Sequence, residues 1–166
     1  MGLALRRWFD LPMVVLANVL VDVEVLFANG YPHHQVWHFH TLLVGGLVGA
    51  ACGAAVYPIK PIRLLFEAVM RLVHIPYKAR PVKMALGGML GAWLHVIVDA
   101  CYHHDVQLFW PMETNPLYGW VHWEYMQLTS RDIELICIMF FVPAAVLYVL
   151  AVWSSARQDR RKKRMQ

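Results

Sequence analysis

The sequence predicts an all-α integral membrane protein of four transmembrane helices, on three observations: its composition, four long apolar stretches, and the gathering of basic residues on one side of them. Hydrophobic residues make up 59% of the 166 and charged residues 16%, well below the roughly 25% charged content of a soluble domain. Mean hydropathy is +0.45. The apolar stretches fall at about 11–29, 41–58, 84–101 and 133–153, each close to the ~20 helical residues that cross a hydrocarbon core.

Taken in order, the first stretch carries Asp22 and Glu24 and lacks a small-residue cleavage site, so it reads as a mature helix rather than a signal peptide. Arg6 stands where a myristoylation signal wants Ser or Thr. The second stretch leads into 61–74, where Leu64, Leu65, Ala68, Val69, Leu72 and Val73 recur at helical spacing and Arg63, Glu67 and Arg71 form an i, i+4 polar stripe. That pattern predicts an amphipathic helix lying in the membrane interface. Pro76 and Pro81 break the chain before the third span. A basic tail at 157–166 follows the fourth, and 1–166 forms one domain. Cys52, Cys101 and Cys137 lie in or at the ends of spans, as small packing residues rather than a disulfide framework.

Orientation follows from charge. Fourteen of the 15 Lys and Arg residues fall before the first span, between the second and third, or after the fourth, and Arg131 alone falls on the other side. The positive-inside rule makes the crowded side cytoplasmic, with both termini there. Trp8 and Trp153 then lie near the inner interface, and Trp37, Trp110, Trp120 and Trp123 near the outer one. The tail's six basic residues read as an anchor to anionic lipid, not as a nucleic-acid contact.

Candidate chemistry gathers on the opposite side. Eight of the nine histidines lie there, all but His74. Asp22 and Glu24 sit in the outer half of the first span, and His95 and Asp99 in the outer half of the third. Ionisable groups at such depths are costly and mark functional sites. Arg131 is the one basic partner on this side for eight carboxylates, and a bound cation would supply the missing charge. His95 and Asp99 are spaced i, i+4, which projects both from one helix face as a pair of metal ligands. Asp22 and His40 lie at similar depth and complete a candidate set of four. Such a set suits zinc, with manganese and iron as alternatives.

Other readings stay open at this level. Asp99 near the interface is also compatible with simple solvation, and Asp22 with a protonated carboxyl bonded to Asn18 one turn earlier. Glu24 lies about 200° from Asp22 around a regular helix, so the two face one ion only if the helix is distorted, and Asp22 is preferred. His38 and His40 face the same way only in an extended segment. Val19-Leu20-Val21-Asp22 matches Val96-Ile97-Val98-Asp99, which suggests two parallel helices presenting carboxylates at comparable depth.

Over about residues 15–115 the chain resembles a family of small bacterial and archaeal inner-membrane proteins, the LexA-regulated membrane-bound hydrolase group. Its Pro-Asp-x-Asp element is similar to Val21-Asp22-Val23-Glu24, its Thr-His-Ser-Leu element to Phe39-His40-Thr41-Leu42-Leu43, its His-x-x-x-Asp element to His95–Asp99, and its Leu-Leu-Trp-Pro element to Leu108-Phe109-Trp110-Pro111. Val21 replaces the family's proline, Glu24 its second Asp, and His34 and His38 stand near the position of a missing His-Arg-Gly. The resemblance implies a metal-dependent hydrolase in a cytoplasmic (inner) membrane.

The expectation is therefore a membrane hydrolase with Asp22, His40, His95 and Asp99 holding a divalent ion and Glu24, His34 or His38 serving as acid or base. A site at headgroup depth suits a lipid or lipid-linked ester or phosphodiester. The alternative is a non-enzymatic four-helix subunit or scaffold that binds a structural metal, binds haem or relays protons. Gly45-Gly46, Gly49, Gly87-Gly88 and Gly91 are expected to pack helices closely or to build a homo-oligomer.

Overall fold

A computed structural model describes residues 8–29, 32–72 and 75–124, together with a few isolated positions beyond them. All regular structure among these residues is helical: α1 (Leu11–Leu20), α2 (Val23–Leu26), α3 (Leu42–Val56), α4 (Lys60–Leu72), α5 (Pro81–Tyr102), α6 (Pro116–Gly119) and a π-helical turn (Trp120–Glu124). The predicted fourth span, about 133–153, and the basic tail lie almost wholly outside the described residues. Among those residues, α5 alone is by itself long and apolar enough to cross a membrane.

Local chemistry explains where the helices begin. The Asp10 carboxylate accepts from the Met13 N–H at 3.1 Å and caps α1, with Pro12 in its first turn. Thr41 caps α3 in the same way, its hydroxyl accepting from Val44 N–H at 3.0 Å. Arg80 is extended ahead of Pro81, whose fixed φ opens α5. Pro58 and Pro61 interrupt the chain after α3, and α4 leaves at 98° to it.

The first predicted span, 11–29, is not one regular helix. The chain turns at Val21 and Asp22, and around the short α2 the N–H groups of Glu24, Val25, Phe27 and Ala28 bond to the carbonyls three residues back, Val21, Asp22, Glu24 and Val25. This tighter winding is a 3₁₀ habit. It rotates Asp22 and Glu24 away from their positions on a regular helix.

α5 is the central element, packed against both α1 and α3. A Cβ placed on Gly49 of α3 would strike the carbonyl of Gly88 on α5, and one on Gly88 would strike the carbonyl of Gly49. Gly91 lies equally close to the backbone of Val14 on α1. The glycine-rich faces therefore bring α1, α3 and α5 together within one chain. Met13, Ala17, Val56, Phe66 and Met84 form the core at one end, and Val21, Ala92, Val96, Ala100, Val106 and Leu108 form it at the other. α4 turns Phe66 and Met70 inward and leaves Leu64, Leu65, Val69 and Leu72 exposed, in keeping with an amphipathic helix.

At the second of these ends the loops fold onto one another. The Leu42 N–H bonds to Leu108 C=O at 3.0 Å, and Gln35 donates to the Asp105 carbonyl at 2.8 Å. Asn115 donates to the carbonyls of Ala100 and His103, at 2.9 and 2.8 Å, closing the end of α5. This double loop holds the histidines.

Candidate metal centre

Asp22 from the break after α1, His40 just before α3, and His95 and Asp99 from one face of α5 converge. Each offers a ligand atom, and these atoms all lie within 4.8 Å of one another. His95 Nε2 is 3.1 Å from Asp22 Oδ1 and 3.4 Å from Asp99 Oδ2, while His40 Nε2 is 3.8 Å and 3.5 Å from the same two oxygens. Ligand atoms about 2.0–2.1 Å from a tetrahedral ion lie about 3.3 Å from one another. These four distances lie near that spacing.

The polar atoms of the cluster also suit a cation. His40 Nε2 and His95 Nε2 are buried without a hydrogen-bond partner, a costly state for an imidazole nitrogen unless a further group completes it. Asp22, Glu24, Asp99 and Asp105 find ion-pair partners only among histidines in the described residues. The Asp22 side chain is 54% exposed and that of Asp99 19%, whereas His40 is fully buried. The cluster therefore opens to its surroundings past Asp22.

Each central imidazole is held from behind. Glu24 is fully buried, and its Oε2 lies 3.0 Å from His40 Nδ1. The same carboxylate accepts the N–H groups of Trp37 at 2.6 Å, Phe39 at 2.8 Å and His40 at 3.3 Å. These bonds fix the loop that delivers His40. An acid or base role was expected of Glu24, yet both its oxygens are engaged in holding loop and ring, so its geometry is that of a positioning residue. His95 Nδ1 lies 3.4 Å from Asn18 Oδ1, and Asn18 in turn donates to Gly91 C=O at 3.3 Å. Asn18 thus serves His95, where the sequence suggested Asp22.

The other two candidate acid–base residues diverge. His34 is buried beside the cluster, with Nδ1 3.0 Å from Asp105 Oδ2 and Nε2 3.6 Å from Asp99 Oδ2. Its ring lies 4.5 Å from that of His40 and 4.6 Å from that of His103. Burial pushes the His34 imidazole below its ordinary range despite the Asp105 carboxylate, which favours the neutral ring. Burial opposes ionisation of Asp105, but the hydrogen bonds from His34 prevail and its carboxyl lies below the usual value. His38 stands outside the cluster, in the left-handed region at φ 55° and stacked on Trp110 with ring centres 5.1 Å apart. His122 bonds to the Cys101 carbonyl at 3.0 Å.

Asp105 carries no mark of a site residue in the sequence. No periodicity or paired spacing marks it. Its bonds to His33, His34 and Gln35 cross about 70 residues of chain, at 72, 71 and 70. No family model, curated protein or solved structure matches the chain.

Proposed function

We propose that the chain is a metal-dependent membrane hydrolase in which Asp22, His40, His95 and Asp99 bind one divalent ion, with zinc favoured by the donor set. The observation that carries this reading is the pair of buried, unpartnered Nε2 atoms facing two carboxylates at ligand spacing. A divalent ion held by these four residues, with room for a water beside the exposed Asp22, would bring the pKa of that water to about 7 and would supply hydroxide at neutral pH. The exposed flank at Asp22 favours such an open site over a closed structural one. Glu24 and Asn18 keep His40 and His95 in the tautomer and orientation that direct Nε2 at the ion.

The membrane setting rests on four predicted spans, on the charge asymmetry and on the apolar surface. Val15 and Val19 of α1 are 67% and 64% exposed, and Leu43, Leu47, Leu94, Ile97 and Val98 continue an exposed apolar surface over α3 and α5. The charge asymmetry directs both termini inward and the metal cluster to the outer leaflet of the inner membrane. A substrate reaching the exposed side of Asp22 there is a lipid or lipid-linked ester or phosphodiester. The resemblance to the LexA-regulated hydrolase group agrees with that chemistry.

The test is elemental analysis of the full chain purified in detergent, joined to hydrolysis of fluorogenic phospholipid and phosphodiester substrates. One ion per chain is expected, with metal and hydrolysis both lost in Asp22→Ala and His95→Ala and retained in His122→Ala. Metal without hydrolysis of any ester or phosphodiester would move the reading to a structural-metal scaffold. A Soret band would assign the histidines to haem.

A further inference from the structure

His34, His40 and His95 come from two separate segments of chain, yet their Nε2 atoms lie 3.6, 3.5 and 3.4 Å from the same oxygen, Asp99 Oδ2. All three distances are near the ligand-to-ligand spacing of about 3.3 Å around a small divalent ion. The rings also share a mounting. Each Nδ1 faces an oxygen: Glu24 for His40 at 3.0 Å, Asp105 for His34 at 3.0 Å, and Asn18 for His95 at 3.4 Å. Metal-binding histidines show this pattern, one ring nitrogen held by a carboxylate or amide oxygen and the other turned to the ion.

We infer that His34 is a third histidine ligand of the same ion, giving a shell of three imidazoles and two carboxylates, and that Asp105 is the residue that positions it. This rests on the reading of Asp22, His40, His95 and Asp99 as a metal site.

His34, His103 and Asp105 also bring three potential ligand atoms within 4.8 Å of one another, which raises a second ion as the competing arrangement. The hydrogen bonds favour one ion. Asp105 Oδ2 already takes the His33 N–H at 3.0 Å, the His34 N–H at 3.4 Å and His34 Nδ1. That is the environment of an anchor, as at Glu24. Among the described residues, the unpartnered buried nitrogens next to a carboxylate belong to His40 and His95, and His34 Nε2 shares their Asp99 oxygen. Three histidines and two carboxylates form a five-coordinate shell, in which the exposed Asp22 is the ligand that a reacting water would replace.

Detergent-purified full-length protein loaded with cobalt(II) or zinc provides the test. X-ray absorption of the zinc-loaded parent should require three imidazoles, and the cobalt-loaded parent should show the weak visible bands of five-coordination. His34→Gln should lose one imidazole and shift the cobalt bands toward a four-coordinate spectrum. Asp105→Asn should keep three imidazoles while weakening affinity by about 10–100-fold. His103→Ala should change neither. One ion bound by two imidazoles in the parent would overturn the assignment of His34 and leave the four-residue site standing. Two ions per chain, one of them lost in His103→Ala, would overturn it in favour of a second site. A parent that binds neither metal would overturn both this inference and the reading beneath it.

Discussion

Glu24 accepts hydrogen bonds from three successive parts of one loop and from the His40 ring, so its charge is spent on holding a neighbour. Glu24→Gln replaces one acceptor oxygen with a donor that must face a backbone N–H or the imidazole. The variant should lose about 1.5–3 kcal/mol of stability, read by thermal melting, and about 10–100-fold in zinc affinity, read by competition with a chelating dye. At the opposite end, burial pushes the Asp10 carboxyl above its ordinary value of 3.8, although Tyr77 Oη donates to it at 2.7 Å. A raised carboxyl stabilises the fold while protonated, below pH 3.8, and that contribution is lost as pH rises through the raised value. Tyr77→Phe removes a bond that favours the ionised form. Its deficit against the parent should grow from about 1 kcal/mol in acid to about 1.5–3 kcal/mol near neutral pH, a widening gap between the two melting curves. The sequence made His95 and Asp99 readable because both ride one helix at a fixed spacing. Asp105 is not legible in the sequence, because its partners are fixed by how two loops meet, which no local pattern encodes.

α3 and α5 could be read from their apolar length, and the observed bounds, Leu42–Val56 and Pro81–Tyr102, fall within a few residues of the predicted stretches. α1 could not. Its apolar run continues through Val21 and Val23, so composition gives no sign of the turn at Asp22. The turn accompanies bonds from Glu24 to residues 37–40, which lie more than a dozen positions on. That distortion lets the two acids divide their tasks, Asp22 at the cluster and Glu24 behind His40. At the scale of helix packing, Gly88→Ala should cost about 1–3 kcal/mol, because its methyl meets the fixed Gly49 carbonyl. Gly119→Ala, with nothing within 4 Å of the new methyl, should change stability by no more than about 0.5 kcal/mol. Equal melting temperatures for the two variants would refute the close packing of α3 on α5.

For the molecule as a whole, an ion that binds only the folded state should stabilise it by about 2.7 kcal/mol at a hundredfold excess over Kd. Chelation should therefore lower the melting temperature of the parent and leave that of Asp22→Ala unmoved. The proposed orientation makes a separate prediction. A cysteine at Gly119 should react with an impermeant thiol reagent applied to intact cells, and one at Gln166 should not; labelling at Gln166 would invert the topology. The loop interlock joining residues 33–35 to Asp105 has a further consequence for biogenesis. A ribosome delivers Asp22 and His40 long before His95, Asp99 and Asp105, so Asp22 must wait through the synthesis of α3, α4 and much of α5 without His95, whereas Glu24 meets residues 37–40 early. On the proposed metal-binding reading, ion capture is a late event in assembly, and nascent chains arrested before residue 95 should leave the metal in solution.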